Sequence, residues 1–251
     1  MPIIGSTTIY LDYLPVSPSI GPIPVSPMEP GTSIPPGSTT APLGTVLSAL
    51  SWVSGLQIDS DGSPRAYAPP PRRGLDFIGN AHVNPRDLSS AFCGVVLDAA
   101  GRPVVQGAAD PAPGYYVSPT ALFDRQRAQA DPRRYVNSEI VPYLAIPPEL
   151  KTLGAKLGDL AYVAYRGLLS WAIVADIGPR KKIGEGSIAL ADALRIPASP
   201  RNGGVGNGVA CVVFLDSSRG WPRECDEAQA TATSLLERWG GAGRLMKLCP
   251  P

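Results

Sequence analysis

The stretch Leu160-Ala161-Tyr162-Val163-Ala164-Tyr165-Arg166-Gly167-Leu168-Leu169-Ser170-Trp171-Ala172-Ile173-Val174-Ala175-Asp176 decides the reading of this chain. Leu160 to Tyr165 and Trp171 to Ala175 are short apolar runs, and a tight turn near Arg166-Gly167 joins them. Such a pattern predicts a β-hairpin. Asp176, Gly178 and Pro179 stop its second strand. Tyr162, Tyr165 and Trp171 alternate along the hairpin, where they either line a groove or pack a core.

Downstream, Ser187 to Leu194 reads as a helix with Glu185 at its entry. Val209 to Leu215 is a buried strand after the glycine-rich loop Asn202 to Gly208. Asp226 to Trp239 reads as a closing helix, with acids at its start, the apolar stripe Ala228, Ala232, Leu235, Leu236 and Trp239, and Gly240 beyond its end. Upstream, Ile140 to Ile146 is a strand candidate whose Pro142 predicts an edge position. Residues 120–134 are polar and predicted helical in part. Cys93 to Leu97 and Pro103 to Gln106 predict a strand pair turning at 98–101. Leu43, Val46, Leu47, Leu50 and Val53 fall at helical spacing and predict a short amphipathic helix. Residues 14–42 are dominated by Pro, Ser, Thr and Gly, a composition of extended, solvated backbone. Ile3 to Leu14 is a short apolar start able to dock on the body or on a partner.

Composition agrees with this punctuation. With 29 prolines and 27 glycines the chain cannot be mostly helical. The expected fold is mainly β (α+β): a small barrel of six or so strands with peripheral helices. The expected division is 1–42, a Pro-rich N-terminal strap or linker, and 43–251, one domain including the helix at 226–239. The 22 basic and 21 acidic residues nearly balance, so no basic field draws in nucleic acid. No segment has the length of a membrane span. Met1 to Gly5 lacks the charged start and long apolar run of a conventional signal peptide. The expectation is a protein that acts outside the producing cytosol, secreted or delivered to the periplasm by another route. A cytosolic protein, or a leader removed beforehand, also fits.

Several chemistries fail on residue types. His82, next to Asn84 and Pro85, is the sole histidine and has no G-x-S-x-G elbow, so it reads as a surface or turn residue. Cys93, Cys211, Cys225 and Cys249 show no C-x-x-C pair, which argues against a zinc site and leaves two disulfides or free thiols open. The run Gly203 to Gly208 has no Walker lysine and precedes a strand, so it is no phosphate cradle. Asp59-Ser60-Asp61-Gly62 begins like a calcium loop, but Pro70 stands where the bidentate Glu belongs. Carboxylate chemistry remains, and it needs neither metal nor cofactor. Glycoside hydrolysis requires two carboxyls across the scissile bond, and Asp176 at a strand end with Glu185 between two glycines fits that need. Flanking glycines are expected to let a bulky ligand approach the backbone.

The segment Ala172-Ile173-Val174-Ala175-Asp176-Ile177-Gly178-Pro179, followed by Ile183-Gly184-Glu185-Gly186-Ser187-Ile188-Ala189-Leu190, resembles the signature of the glycoside hydrolase family 75 chitosanases. Ile58 to Gly62, Arg134 to Asn137, Val141 to Leu144 and Gly158 to Leu160 resemble other parts of that family in order, over roughly residues 55–217. The resemblance implies an endo-acting, inverting hydrolase of β-1,4-linked amino-sugar polymers. It makes Asp176 and Glu185 the catalytic pair; the expected roles are Glu185 as acid and Asp176 as base, while the helix start favours an ionised Glu185 and so the opposite assignment unless burial outweighs it. It also implies substrate contacts at Asp59, Asp61, Tyr143 and Ser187. The basic loop Arg180-Lys181-Lys182 departs from what a polycation demands. It leaves open a muramidase-type effector acting on peptidoglycan, with an immunity or delivery protein as partner. A non-catalytic module binding a glycan or a partner is a third expectation.

Overall fold

The computed structural model describes residues 1–14, 47–84, 86–87 and 89–249. The strands are β1 (Ile3–Ile4), β2 (Thr7–Thr8), β3 (Tyr10–Leu14), β4 (Leu47–Asp59), β5 (Tyr143–Ile146), β6 (Leu160–Tyr165), β7 (Leu168–Ile177), β8 (Glu185–Ser187) and β9 (Val205–Phe214). The helices are α1 (Pro148–Thr152), α2 (Ile188–Ala193), α3 (Cys225–Trp239) and α4 (Gly241–Met246). The predicted hairpin is β6–β7, paired so that Tyr165 faces Leu168 and Arg166-Gly167 forms the turn. Both turn residues have positive φ, 46° and 79°, which matches the right-handed twist of the strands.

Around that hairpin the sheet runs β4-β8-β5-β7-β6-β9, and β9 pairs back onto β4. The result is a closed six-stranded β-barrel with few helices. Closure works because β4 is long and bulged between Ser54 and Leu56, which lets it pair with β9 along its body and with β8 at its end. Closing the sheet leaves none of these six strands at an end of it, while β3 lies outside the ring, paired to β4.

Alternate residues of each strand face opposite ways, and here both faces are buried. Leu50, Trp52, Leu144, Val163, Val174 and Val213 meet on one face together with Leu190 and Leu194 from around α2. Ala49, Tyr162, Trp171, Ile173 and Phe214 form the other, beneath Leu236 and Trp239 of α3 and Leu245 of α4. Tyr162 and Trp171 are therefore core residues, and the Tyr162 hydroxyl is within 2.8 Å of the Thr233 hydroxyl on α3.

Four local expectations change. Of the residues read at helical spacing, Leu43 and Val46 lie outside the described residues, while Leu47, Leu50 and Val53 belong to strand β4. Burial on both faces made its apolar pattern nearly continuous, and continuous runs imitate any period. β5 is a fully buried central strand between β7 and β8, not an edge, because Pro142 lies one residue before it and never has to donate to the ladder. Within 120–134 only Pro132–Arg134 forms a helical turn, of the 3₁₀ type. The pair at 93–106 reduces to a bridge at Leu97 and Pro103 with the Val104 N–H on the Val96 carbonyl. The start of the chain does dock on the body: β3 pairs with β4, and Asp12 accepts the Trp239 indole N–H at 3.0 Å. The Pro-rich segment up to residue 42 lies outside the described residues from residue 15 onward.

Ser187 joins three elements. Its Oγ caps α2 by accepting the Leu190 N–H, accepts the Tyr143 N–H at 2.9 Å, and donates to the Val141 carbonyl. Ser187→Ala leaves two buried donors without acceptors and is expected to cost about 2–4 kcal/mol. The measurement is a shift of the denaturant midpoint at constant m-value.

Candidate active site

The two predicted acids are brought together by β5. In register, Ala145 of β5 faces Asp176 of β7 on one side and Glu185 of β8 on the other. Leu144 pairs with Val174 and Ala145 with Asp176, so Ala175 is an extra residue and β7 is bulged there. Regular alternation would put Asp176 on the same side as Val174, in the apolar cluster around α2. The bulge turns it to the Ala145 side instead. Paired neighbours point the same way, so both acids flank a single alanine methyl. Two strand spacings separate their Cα atoms by about 9.5 Å. Gln57 and Asp59 extend the same row on β4, through the pairings Gln57 with Glu185 and Asp59 with Ser187.

The row floors a cleft of about 640 Å³. Its other walls come from the long excursion 60–142 and from the loop 200–203. Five acids line it: Asp59, Asp61, Asp76, Asp176 and Glu185. Lys182 and Arg201 are the cations among the lining residues. Burial pushes Asp176 up to about 7, against the pull of the Ile177 and Ala121 N–H groups, and the Glu185 charge adds to the rise. Those two N–H groups both bond Oδ1, at 2.8 and 3.0 Å. Glu185 is raised by burial, while Lys182, with Nζ 3.9 Å away, holds it down. Burial raises Asp59 and Asp61 well above the usual carboxylate range, and the neighbouring acids raise them further.

Tyr143 and Ser187 lie beneath the floor with no exposed surface, so neither is a substrate contact. Tyr143 donates its hydroxyl to the Asp61 carbonyl at 2.9 Å and thereby holds the turn that carries both aspartates. Asp59 Oδ1 accepts the Asp61 N–H at 2.9 Å, and the Ser118 hydroxyl reaches Asp61 Oδ1 at 3.2 Å. The glycines around Glu185 serve the protein, not a ligand. A Cβ at Gly184, where φ is +94°, would fall 2.3 Å from the Gly55 carbonyl oxygen, and one at Gly186 would fall 2.8 Å from Leu190. His82 is no surface residue. It is buried in the cleft wall, with Nδ1 2.8 Å from the Ser90 carbonyl and its ring against Phe92 at 4.0 Å. All four cysteines are free, and Cys93 lines the cleft.

Sequence reasoning missed Tyr67, Asp76, Asn80 and Arg201, all of which line the cleft. Asn80 sits in a short 3₁₀ turn, Ile78–Ala81, and the others in irregular segments, all with no periodic or motif signal, so only folding brings them to the site. Among the described residues, no group of three or more His, Cys, Asp or Glu side chains is arranged to hold a metal ion, and no helix is long and apolar enough to cross a membrane. Comparison with protein-family models and with curated proteins finds no match to either.

The high Asp176 value has a stability consequence. The folded protein keeps a proton that the unfolded chain releases near 3.8, so stability falls as pH rises from about 4 through 7. Asp176→Asn preserves the Oδ1 acceptor and removes the ionisation. Its unfolding midpoint is expected to fall less steeply than the wild type's between pH 4 and 8, with denaturation curves at each pH as the check.

Proposed function

We propose that the protein is a glycoside hydrolase that cleaves β-1,4-linked amino-sugar polymers of the chitosan type, acting within the chain and with inversion. The observation that carries this reading is the pair Asp176 and Glu185 on either side of Ala145, at the floor of an open cleft. Inverting hydrolases hold their carboxyls about 6.5–9.5 Å apart to admit a water. Two side chains pointing the same way from alternate strands span such a gap.

The local electrostatics support Asp176 as acid and Glu185 as base, the reverse of the expected roles. Asp176, raised to about 7 and with Oδ1 occupied by two N–H groups, is suited to carry a proton on Oδ2 and deliver it to the glycosidic oxygen. Glu185, beside Lys182, is suited to stay ionised and activate the water.

The acidic cleft supports a cationic substrate over peptidoglycan. Of the three basic loop residues, only Lys182 lines it. Arg180 approaches Glu149 of α1 at 4.0 Å, and the Lys181 N–H bonds the same carboxylate.

The test is reducing-end release from chitosan and peptidoglycan side by side. Wild type is expected to act on chitosan, with Glu185→Gln and Asp176→Asn each slower by about 10²–10⁴-fold. An oligomer with an activated aryl leaving group separates the roles. It is expected to restore turnover to Asp176→Asn and not to Glu185→Gln, and the reverse pattern would exchange donor and base. Release from peptidoglycan alone would make the protein a wall-degrading effector. Silence on both would leave a binding module.

A further inference from the structure

We infer that Asp76 is the residue by which the cleft selects a free amine, receiving the 2-ammonium group of the sugar bound beside Glu185. The inference rests on the chitosan reading and deepens it. Asp76 is only 7% exposed. Its Oδ1 accepts the Phe77 N–H at 2.7 Å and the Asn80 side-chain N–H at 2.8 Å. Among the described residues its Oδ2 has no hydrogen-bond partner, yet it is not among the sealed polar atoms. Asp76 lines the cleft, and also a smaller pocket beside Phe77 and Arg201. Asn80, which bonds it, lines the cleft, and the Asp76 charge is felt at Glu185, which it helps to raise.

No described cation lies within 4 Å of this carboxylate. The nearest candidate is Arg201, and its N–H groups are committed elsewhere. They bond the carbonyls of Gly74 at 2.6 Å, Leu75 at 3.1 Å and Asp76 at 3.4 Å. The guanidinium also stacks on the Phe77 ring at 4.6 Å. Arg201 thus fixes the backbone beneath Asp76 without pairing with its side chain. Lys182 is beside Glu185. Burial raises Asp76, and the Phe77 and Asn80 N–H groups and the charge of Arg201, which does not touch the carboxylate, offset this only in part, so a ligand cation in direct contact relieves it further. An ammonium donates charge-assisted hydrogen bonds to Oδ2. An acetamido group carries no charge and is bulkier, so it leaves the carboxylate unpaired.

The other acids are less suited to this role. Asp59 and Asp61 also keep an Oδ2 without a described partner, but burial and the charges of neighbouring acids push both well above the usual carboxylate range, toward the uncharged form. Asp176 and Glu185 are committed to the reaction.

Calorimetry with glucosamine hexamer and N-acetylglucosamine hexamer tests the inference, using the full chain carrying Glu185→Gln so that ligand is not consumed. That protein is expected to prefer the glucosamine hexamer by about tenfold or more. Adding Asp76→Asn is expected to remove the preference by weakening the glucosamine hexamer alone, with the unfolding midpoint measured to establish that the fold is kept. Retention of the preference, or equal weakening of both ligands, overturns the role of Asp76. Should wild type fail to cleave chitosan while the Asp76-dependent preference holds, the hydrolase reading falls and amine selection stands. If the protein binds neither hexamer, both fall.

Discussion

Ala145 carries the pairing on which the rest of the site depends, because an acid-bearing strand is hydrogen-bonded to each side of it. The spacing of a β-ladder is among the least adjustable distances in a protein, and here it sets the gap between Asp176 and Glu185. A single bulged residue, Ala175, decides that Asp176 faces the cleft and not the apolar cluster. Barrel closure then holds the short strand β5 in place, since β7 and β8 are themselves tied to β6 and β4. A methyl between two carboxyls leaves space above it, which a larger side chain would fill.

That rigidity is what makes the acidic floor tenable. Several carboxyls sharing a partly buried cleft repel one another and lose hydration, and both effects push them toward the protonated form. The protein answers with backbone donors from Ala121, Ile177 and Asp61 more than with cations. A fixed N–H orients a carboxyl without cancelling its charge, so the cleft stays acidic and receptive to a cation.

The walls follow a different physics. The excursion 60–142 has little regular structure, so side chains carry much of its anchoring. Gln106 donates to the carbonyls of Pro64 and Tyr116, Ser138 to that of Ser60, and Thr120 accepts the Val136 N–H. Arg201 performs the same service from the opposite rim. The barrel thus supplies Asp176 and Glu185, and the excursion supplies Asp61, Tyr67, Asp76 and His82 around them.

By itself the sequence determined the hairpin at 160–177, the helices at 187–194 and 226–239, the closing strand near 209–215 and a barrel of about six strands. The hairpin, the helices and the closing strand rest on local periodicity bounded by Gly, Pro or acidic punctuation, which survives without knowledge of neighbours. It also singled out Asp176, at the end of an apolar strand, and Glu185, between two glycines at a helix entry. Only the tertiary structure decided that β4 is a strand, because burial on both faces erased its period, and that β5 is central, because Pro142 falls just outside it. Tertiary contacts alone showed why Gly184 and Gly186 flank Glu185: Gly55 and Leu190 crowd them. Contacts across 125 residues also made a clamp of Arg201, which bonds the Asp76 carbonyl and leaves its carboxylate without a cation in direct contact. Such pairings are set by where the barrel closes, a property of the whole chain that no window of sequence contains.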